Sequence, residues 1–216
     1  MKRFKVGELA VESGTPLLSE GSSTPQVFTA LSGMGLRYKT LENGERQVIS
    51  FVMPGDFIGL QAAVMGEMQH SVEASTDMVL CVFDRSSLWD LFKQEPQRAF
   101  DLTWVAAIEE HFLGETVAAL GQRTGTERVA WAMVRLFIHL SALDLRNDNA
   151  VPLPYRQQDL ADALGLSLVH TNKILSSFRR KGLAIWKESK LTIPDLAKLA
   201  DLASLDPEAE PVRPLI

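Results

Sequence analysis

The hydrophobic pattern of the chain changes period near Ser86, and this change constrains the fold more than any other feature. From Leu17 to about Asp84, short apolar runs alternate with polar residues and are separated by turn residues. After Ser86 the apolar residues recur at three- and four-residue steps, which is typical of helices. Closely spaced short strands predict an antiparallel barrel or jelly roll. The expected fold class is therefore α+β, with an N-terminal β barrel or β jelly roll followed by helices.

Turn signals mark the ends of the predicted strands. Asn43-Gly44 lies between the alternating segments 35–41 and 46–52. An Asn-Gly pair in this setting is the strongest short-range signal for a β-hairpin. A second turn is expected at 53–56. The other predicted strands lie at 27–31, 57–59, 71–76 and 78–83.

A long helix is predicted from residue 97 to about residue 120. At 1.5 Å per residue it would extend about 36 Å, which is longer than a small barrel needs to cover one face. It can pack wholly on its own barrel, or it can pair with a second copy across a twofold axis, and its length favours pairing. Glu109 and Glu110 are expected near the rim of the apolar stripe. The stripe comprises Leu102, Val105, Ile108 or Glu109, Phe112, Thr116 and Ala119.

The next segment predicts a second amphipathic helix. Gly121 to Gly125 is expected to end the long helix, and Thr126 is expected to cap a new one at 127–141. A polar loop is expected at 144–154, and a frayed tail from 206 to 216.

Residues 157–183 meet the requirements of a helix-turn-helix. Helices are predicted at 157–164 and 168–181. Ala161 is small where the helices would cross, Gly165 tolerates the positive φ of the turn, and Ser167 can cap the second helix. An ordinary helical hairpin is the alternative interpretation. The apolar residues that would fill the crossing are Leu160, Leu164, Leu166 and Ile174.

The charges are distributed unevenly along the chain. The net charge is −5, and residues 1–155 carry 13 basic and 19 acidic side chains. Residues 156–190 carry seven basic and three acidic side chains. Such a basic island in an acidic chain is typical of a DNA-binding module on an acidic sensor, although a solvated helix face is the alternative.

The second helix of this motif is expected to enter the major groove of double-stranded DNA. Asn172 can pair with adenine, and Lys173 can donate to guanine. Arg179 and Arg180 lie at the far end of the helix, where they suit phosphates. A hairpin at 183–193 with lysines at its tip predicts a wing. The candidate DNA-binding residues are Ser167, Val169, His170, Asn172, Lys173, Ser177, Arg179, Arg180 and Lys190.

Several classes of protein are excluded by what the sequence lacks. No apolar run reaches 18 residues, so no membrane span is expected, and no secretory signal is present. The single cysteine, Cys81, cannot form an internal disulfide or ligate an iron–sulfur cluster, and a cytoplasmic location is expected. Only His70 lies in the strand region, too few histidines for the metal site of a jelly-roll enzyme. We therefore expect neither an enzyme nor a metal site.

Taken in order, these elements resemble the Crp–Fnr transcription regulators over nearly the whole chain. Residues 54–59 (PGDFIG) look like the turn of the family's cyclic-nucleotide fold, and residues 165–175 look like the entry to its recognition helix. The stretch 126–130 is similar to the segment after the family's dimer helix. The resemblance implies a homodimer that binds two half-sites and contacts RNA polymerase. The implied domains are a sensor domain at 1–96, a dimerisation helix at 97–122 and a winged helix-turn-helix domain at 123–216.

The effector site departs from the cyclic-AMP-responsive members that the chain resembles. Those members carry a Glu where this chain has Leu60, and an Arg–Ser pair where it has His70-Ser71. Leu60 cannot accept from a ribose hydroxyl, and a neutral His70 lacks the bidentate grip of a guanidinium. We expect no activation by cyclic AMP in the usual mode and no cofactor, with the effector unknown. The candidate effector-pocket residues are Gly59, Leu60, Gln61, His70 and Ser71.

Two further points follow from the resemblance. A haem sensor would need an axial ligand such as His70 or Cys81, each of which is better explained as structural. The base-reading positions also differ, because Leu168, Val169 and Lys173 stand where the cyclic-AMP-responsive members have Arg, Glu and Arg. The operator sequence therefore does not carry over.

The alternative function is a ligand-binding or interaction module of the cyclic-nucleotide fold that does not bind DNA.

Overall fold

The computed structural model describes residues 4–206, so the predicted frayed tail lies outside the described residues except for Asp206. The chain divides into two compact units, residues 4–111 and residues 112–206. Within 4–206, no helix combines the length and the apolar character that crossing a bilayer requires.

The first unit is built from two antiparallel four-stranded sheets, which confirms the predicted jelly roll. One sheet has the order β1-β8-β3-β6 and the other has the order β2-β7-β4-β5. The strands are β1 (Lys5–Val11), β2 (Pro16–Leu18), β3 (Gln26–Ser32), β4 (Gly35–Thr40), β5 (Arg46–Val52), β6 (Phe57–Ile58), β7 (Ser71–Ala74) and β8 (Met78–Asp84).

Apolar side chains from both sheets fill the space between them. Phe28 and Leu80 of one sheet and Val52 and Val72 of the other belong to a single buried cluster. The predicted hairpin joins β4 and β5, with Gly44 at a φ of 83°. Only a residue without a Cβ adopts this φ at little cost. The interior of the sandwich is therefore a packed apolar core.

Three helices accompany the sheets. They are α1 (Leu60–Met65), α2 (Leu88–Gln94) and α3 (Pro96–Gln122), and a 3-10 turn at Arg85–Ser87 precedes α2. The long helix is thus confirmed, but α3 continues through Gly121 instead of ending there, because one glycine weakens a helix without breaking it. The short helix α1 was not predicted.

The prediction that the apolar stripe of α3 pairs with a second copy is wrong. Leu102, Val105 and Ala119 are buried within the protomer. The opposite side of α3 carries a second set of apolar side chains, Phe100, Leu113 and Val117, which are exposed. Apolar side chains lie on two sides of α3, and the sequence pattern alone did not distinguish the inner face from the outer one.

The second unit contains the carboxyl end of α3 and seven further elements. Helix α4 supplies most of its core, and β11 lies between β10 and β9 in a three-stranded sheet. The elements are α4 (Gly125–Ala142), β9 (Ala150–Pro152), α5 (Gln157–Leu164), α6 (Leu168–Arg180), β10 (Ile185–Lys187), β11 (Lys190–Thr192) and α7 (Leu196–Leu202). Strand β9 lies in the predicted polar loop, and α7 was not predicted.

The cap of α4 corrects a second prediction. Thr124, and not Thr126, is the N-cap. Its hydroxyl accepts from the backbone N–H of Glu127, and the Glu127 carboxylate accepts from the backbone N–H of Thr124 at 2.7 Å. This reciprocal capping box needs a Glu three residues after the cap, which favours Thr124. The same contact holds the pKa of Glu127 below its ordinary value.

Candidate nucleic-acid interface

Helices α5 and α6 form the predicted helix-turn-helix. Ala161 is fully buried, and Gly165 has a φ of 61° between the two helices. The Ser167 hydroxyl accepts from the backbone N–H of His170 at 3.2 Å and caps α6. This confirms the predicted cap, and the Ser167 hydroxyl, which accepts in the cap, keeps its own proton to donate, so its predicted DNA contact stays a prediction. Thr171, Ile174, Leu175 and Phe178 form the buried face of α6.

The other face of α6 is open to solvent. Val169 is 77% exposed, and Lys173, Ser176 and Arg180 follow it at helical spacing with exposed side chains. His170 and Arg179 are also exposed. Five of the candidate DNA-binding residues thus lie together on the exposed side of α6.

Two predicted residues are less accessible. Asn172 is half-buried, and its side-chain oxygen has neither solvent access nor a hydrogen-bond partner among the described residues. Ser177 is also half-buried. The side-chain oxygen of Asn172 is therefore not available for reading bases in this conformation.

The predicted wing is present. Strands β10 and β11 pair antiparallel from Ile185↔Thr192 to Lys187↔Lys190. Glu188 and Ser189 form the tip with φ values of 51° and 57°, the positive values that a tight two-residue hairpin turn requires. Lys190 is exposed beside this tip.

The acidic side chains of this region have nearby partners. Asp159 is buried and accepts from the Arg156 guanidinium at 2.6 Å. Glu188 pairs with Lys187 at 2.8 Å. Helix α6 itself carries Lys173, Arg179 and Arg180 and no acidic residue, so its exposed charges are all positive. Such a surface attracts the phosphate backbone of a nucleic acid.

The predicted effector-pocket residues lie in the first unit, where Gln61 and Ser71 bond locally. Gly59 precedes α1 with a φ of 97°, and the Leu60 side chain packs on an apolar cluster beside α2. The Gln61 side chain accepts from the backbone N–H of Gln69, and the Ser71 hydroxyl accepts from that of Glu20. Burial, and secondly the charge of Arg37, lower the pKa of His70 from 6.5 to about 4. His70 is therefore neutral at pH 7.

Sequence reasoning missed the central charge of this unit, Arg37. Its side chain is 8% exposed and donates to Glu109 of α3 at 2.8 Å. It also donates to the backbone oxygen of Phe57 at 2.9 Å and to the Ser50 hydroxyl at 3.3 Å. The one sequence signal for this site was an Arg within a strand of otherwise alternating residues. Its partner Glu109 lies 72 residues away, so the local pattern could not predict the ion pair.

Comparisons with known proteins agree with this architecture. Residues 8–95 match the cyclic nucleotide-binding domain family, and residues 127–202 match the Crp-like helix-turn-helix domain family. The chain is 29% identical over 192 residues to the nitrogen fixation regulation protein FixK of Bradyrhizobium diazoefficiens, covering 89% of this chain and 80% of FixK. It is 26% identical over 199 residues to the transcriptional activator protein FnrL of Cereibacter sphaeroides, covering 90% and 79%.

A solved structure is similar over nearly the same range. FixK2 from Bradyrhizobium japonicum superposes with a TM-score of 0.80 at 25% identity, covering 91% of this chain and 96% of FixK2. The matches include both the sandwich and the helix-turn-helix in the order observed here. The chain therefore belongs to the Crp–Fnr family of DNA-binding transcription regulators, with a cyclic-nucleotide-binding-like domain followed by a winged helix-turn-helix.

Proposed function

We propose that this regulator binds DNA as a homodimer, with one α6 in each of two half-sites, and that it does so without cyclic AMP. The exposed, basic face of α6 is the observation that carries the proposal. Val169, Lys173 and Arg180 lie on it at helical spacing. A helix presented in this way fits the major groove, where its amino-terminal side chains meet base edges.

The DNA part of the proposal is tested with Lys173→Ala. A duplex enriched by the wild-type protein from a randomised pool serves as the operator, and a scrambled duplex serves as the reference. Loss of a base contact should weaken operator binding about tenfold or more, with a smaller loss on the scrambled duplex. Lys198→Ala removes an exposed lysine of α7 and is the control. Equal losses on both duplexes would make Lys173 a phosphate contact only.

The exposed face of α3 supports the homodimer. Phe100, Leu113 and Val117 lie there among small residues, and Glu110 is the one acidic residue among them. Positions 100, 107, 114 and 121 are Phe, Ala, Gly and Gly at seven-residue intervals. Such a repeat suits a helix pair, and small residues let the two backbones approach closely.

The filled interior of the sandwich supports function without cyclic AMP. Apolar side chains occupy the space between the sheets, and the buried Arg37 already has Glu109 as its counter-ion. Leu60 offers no acceptor, and His70 is neutral. Cyclic AMP at millimolar concentration should therefore leave both the melting temperature and the operator affinity unchanged. A stabilisation that saturates with ligand would contradict this, because a ligand that binds only the folded state raises its stability.

We further propose that the protein acts in the cytoplasm, contacts RNA polymerase and is not an enzyme. The names of its relatives, which are transcriptional activators, support this. Transcription in vitro with purified polymerase and an operator-bearing promoter tests it. If no DNA is enriched and no transcript changes, the alternative of a ligand-binding module without DNA binding would be favoured.

A further inference from the structure

The first turn of α4 lies against the first turn of α6. A Cβ atom built on Gly125 would lie 2.7 Å from Nε2 of His170 and 3.4 Å from a methyl carbon of Leu166. Gly125 follows the N-cap Thr124, and His170 is exposed three residues into α6. The imidazole of His170 therefore occupies space that any residue other than glycine at position 125 would take.

Arg128 makes a second connection at the same place. Its Nε donates to the backbone oxygen of Arg123 at 2.9 Å, and its Nη1 donates to that of Leu164 at 3.3 Å. Leu164 ends α5, where backbone oxygens lack partners within the helix. One guanidinium thus joins the segment between α3 and α4 to the turn of the helix-turn-helix.

We infer that the α3–α4 junction positions the reading helix, with Gly125 orienting the His170 side chain and Arg128 fixing the turn before α6. His170 is then a specificity-determining residue, and Gly125 and Arg128 are positioning residues. Hydrogen bonds to bases depend steeply on distance and angle, so displacing the ring changes which base it reads. The inference rests on the proposed entry of α6 into the groove.

The first test is Gly125→Ala with the enriched and scrambled duplexes described above. The far end of a flexible side chain must move, so the fold should persist, and the melting temperature should hold or rise because alanine favours helix. Affinity for the enriched duplex should fall about tenfold, the size expected for one lost base contact, while affinity for the scrambled duplex stays the same. Thr126→Ala, at the next exposed position, is the matched control and should change neither affinity.

A double-mutant cycle separates orientation of His170 from a general disturbance. Once His170→Ala has removed the ring, adding Gly125→Ala should cost nothing more. The ring resonances of His170 in NMR spectra should shift in Gly125→Ala and stay unchanged in Thr126→Ala. Arg128→Met should weaken binding to the enriched duplex, and Arg128→Lys should restore part of it, because an ammonium can donate to one of the two oxygens.

Three results would overturn the inference. The first is unchanged affinity of Gly125→Ala for the enriched duplex. The second is an equal loss on the scrambled duplex, and the third is a further loss when Gly125→Ala is added to His170→Ala. A wild-type protein that enriches no duplex would instead refute the proposed function, so the two failures are distinguishable.

Discussion

Arg37 places a positive charge among the strands of the first unit, where its side chain is almost entirely buried. Burying a charge is costly unless hydrogen bonds and an opposite charge compensate for it. Ser50, the Phe57 backbone and Glu109 supply that compensation from two strands and from α3. The pair therefore holds α3 against the sheet within this unit.

A double-mutant cycle on this pair should be strongly non-additive. Glu109→Ala leaves a buried guanidinium without its counter-ion and should lower the free energy of unfolding by about 1–3 kcal/mol. Arg37→Met should also destabilise. The double variant should lose little more than Arg37→Met alone, because Glu109 has no positive charge left to neutralise once Arg37 is gone. Urea unfolding measures this, and additive losses would show that the two side chains act separately.

His70 makes stability depend on pH in a defined window. Its pKa is lowered to about 4 in the folded protein, whereas the unfolded chain takes up the proton near the ordinary value of 6.5. The unfolded state therefore binds the proton first as the pH falls. The free energy of unfolding should decline from pH 6.5 towards 4, and His70→Gln should decline less over that interval. Urea midpoints at several pH values compare the two, and parallel curves would contradict the assignment.

At the scale of elements, the sequence predicted features that depend on neighbouring residues, but it did not predict which distant segments contact each other. The requirements of α5 and α6 lie within a stretch of the sequence short enough to be recognised, so Ala161, Gly165 and Ser167 all have their predicted places. The two faces of α3 depend on packing with distant segments, which the periodicity does not record. The partners of Arg37 and the contact of Gly125 with His170 are likewise set by the folded chain.

A substitution on the exposed outer face of α3 tests the proposed dimer. Val117→Glu should convert the proposed dimer to monomers at micromolar concentration, because it places a charge in an apolar contact between two helices. Val64 of α1 is 68% exposed against 70% for Val117, so Val64→Glu is a matched control. Light scattering gives the mass of each variant. A dimeric Val117→Glu would rule out this face.

On the scale of the whole molecule, the segment that contains the helix-turn-helix differs in charge from the chain before it. Residues 1–155 carry an acidic excess, and residues 156–190 carry a basic one. The acidic excess disfavours contact of the rest of the chain with DNA, while the basic segment attracts phosphates. This division of charge could be predicted from the sequence alone, because finding it requires only a count of charged residues.

The proposed binding to two half-sites imposes a spacing on the operator. Half-sites that lie one helical turn apart present the same groove to both copies of α6. Inserting about half a turn, roughly 5 base pairs, between them should reduce affinity to that of a single half-site, and inserting a full turn should restore part of it. Fluorescence anisotropy with these duplexes measures the effect. Affinity that ignores the insertion would indicate binding by single protomers.

The exposed outer face of α3, through which two protomers are proposed to pair, ties operator binding to the concentration of the chain. Because only the paired form spans both half-sites, its amount in dilute solution grows with the square of the chain concentration. A twofold change in abundance would therefore change promoter occupancy by up to about fourfold.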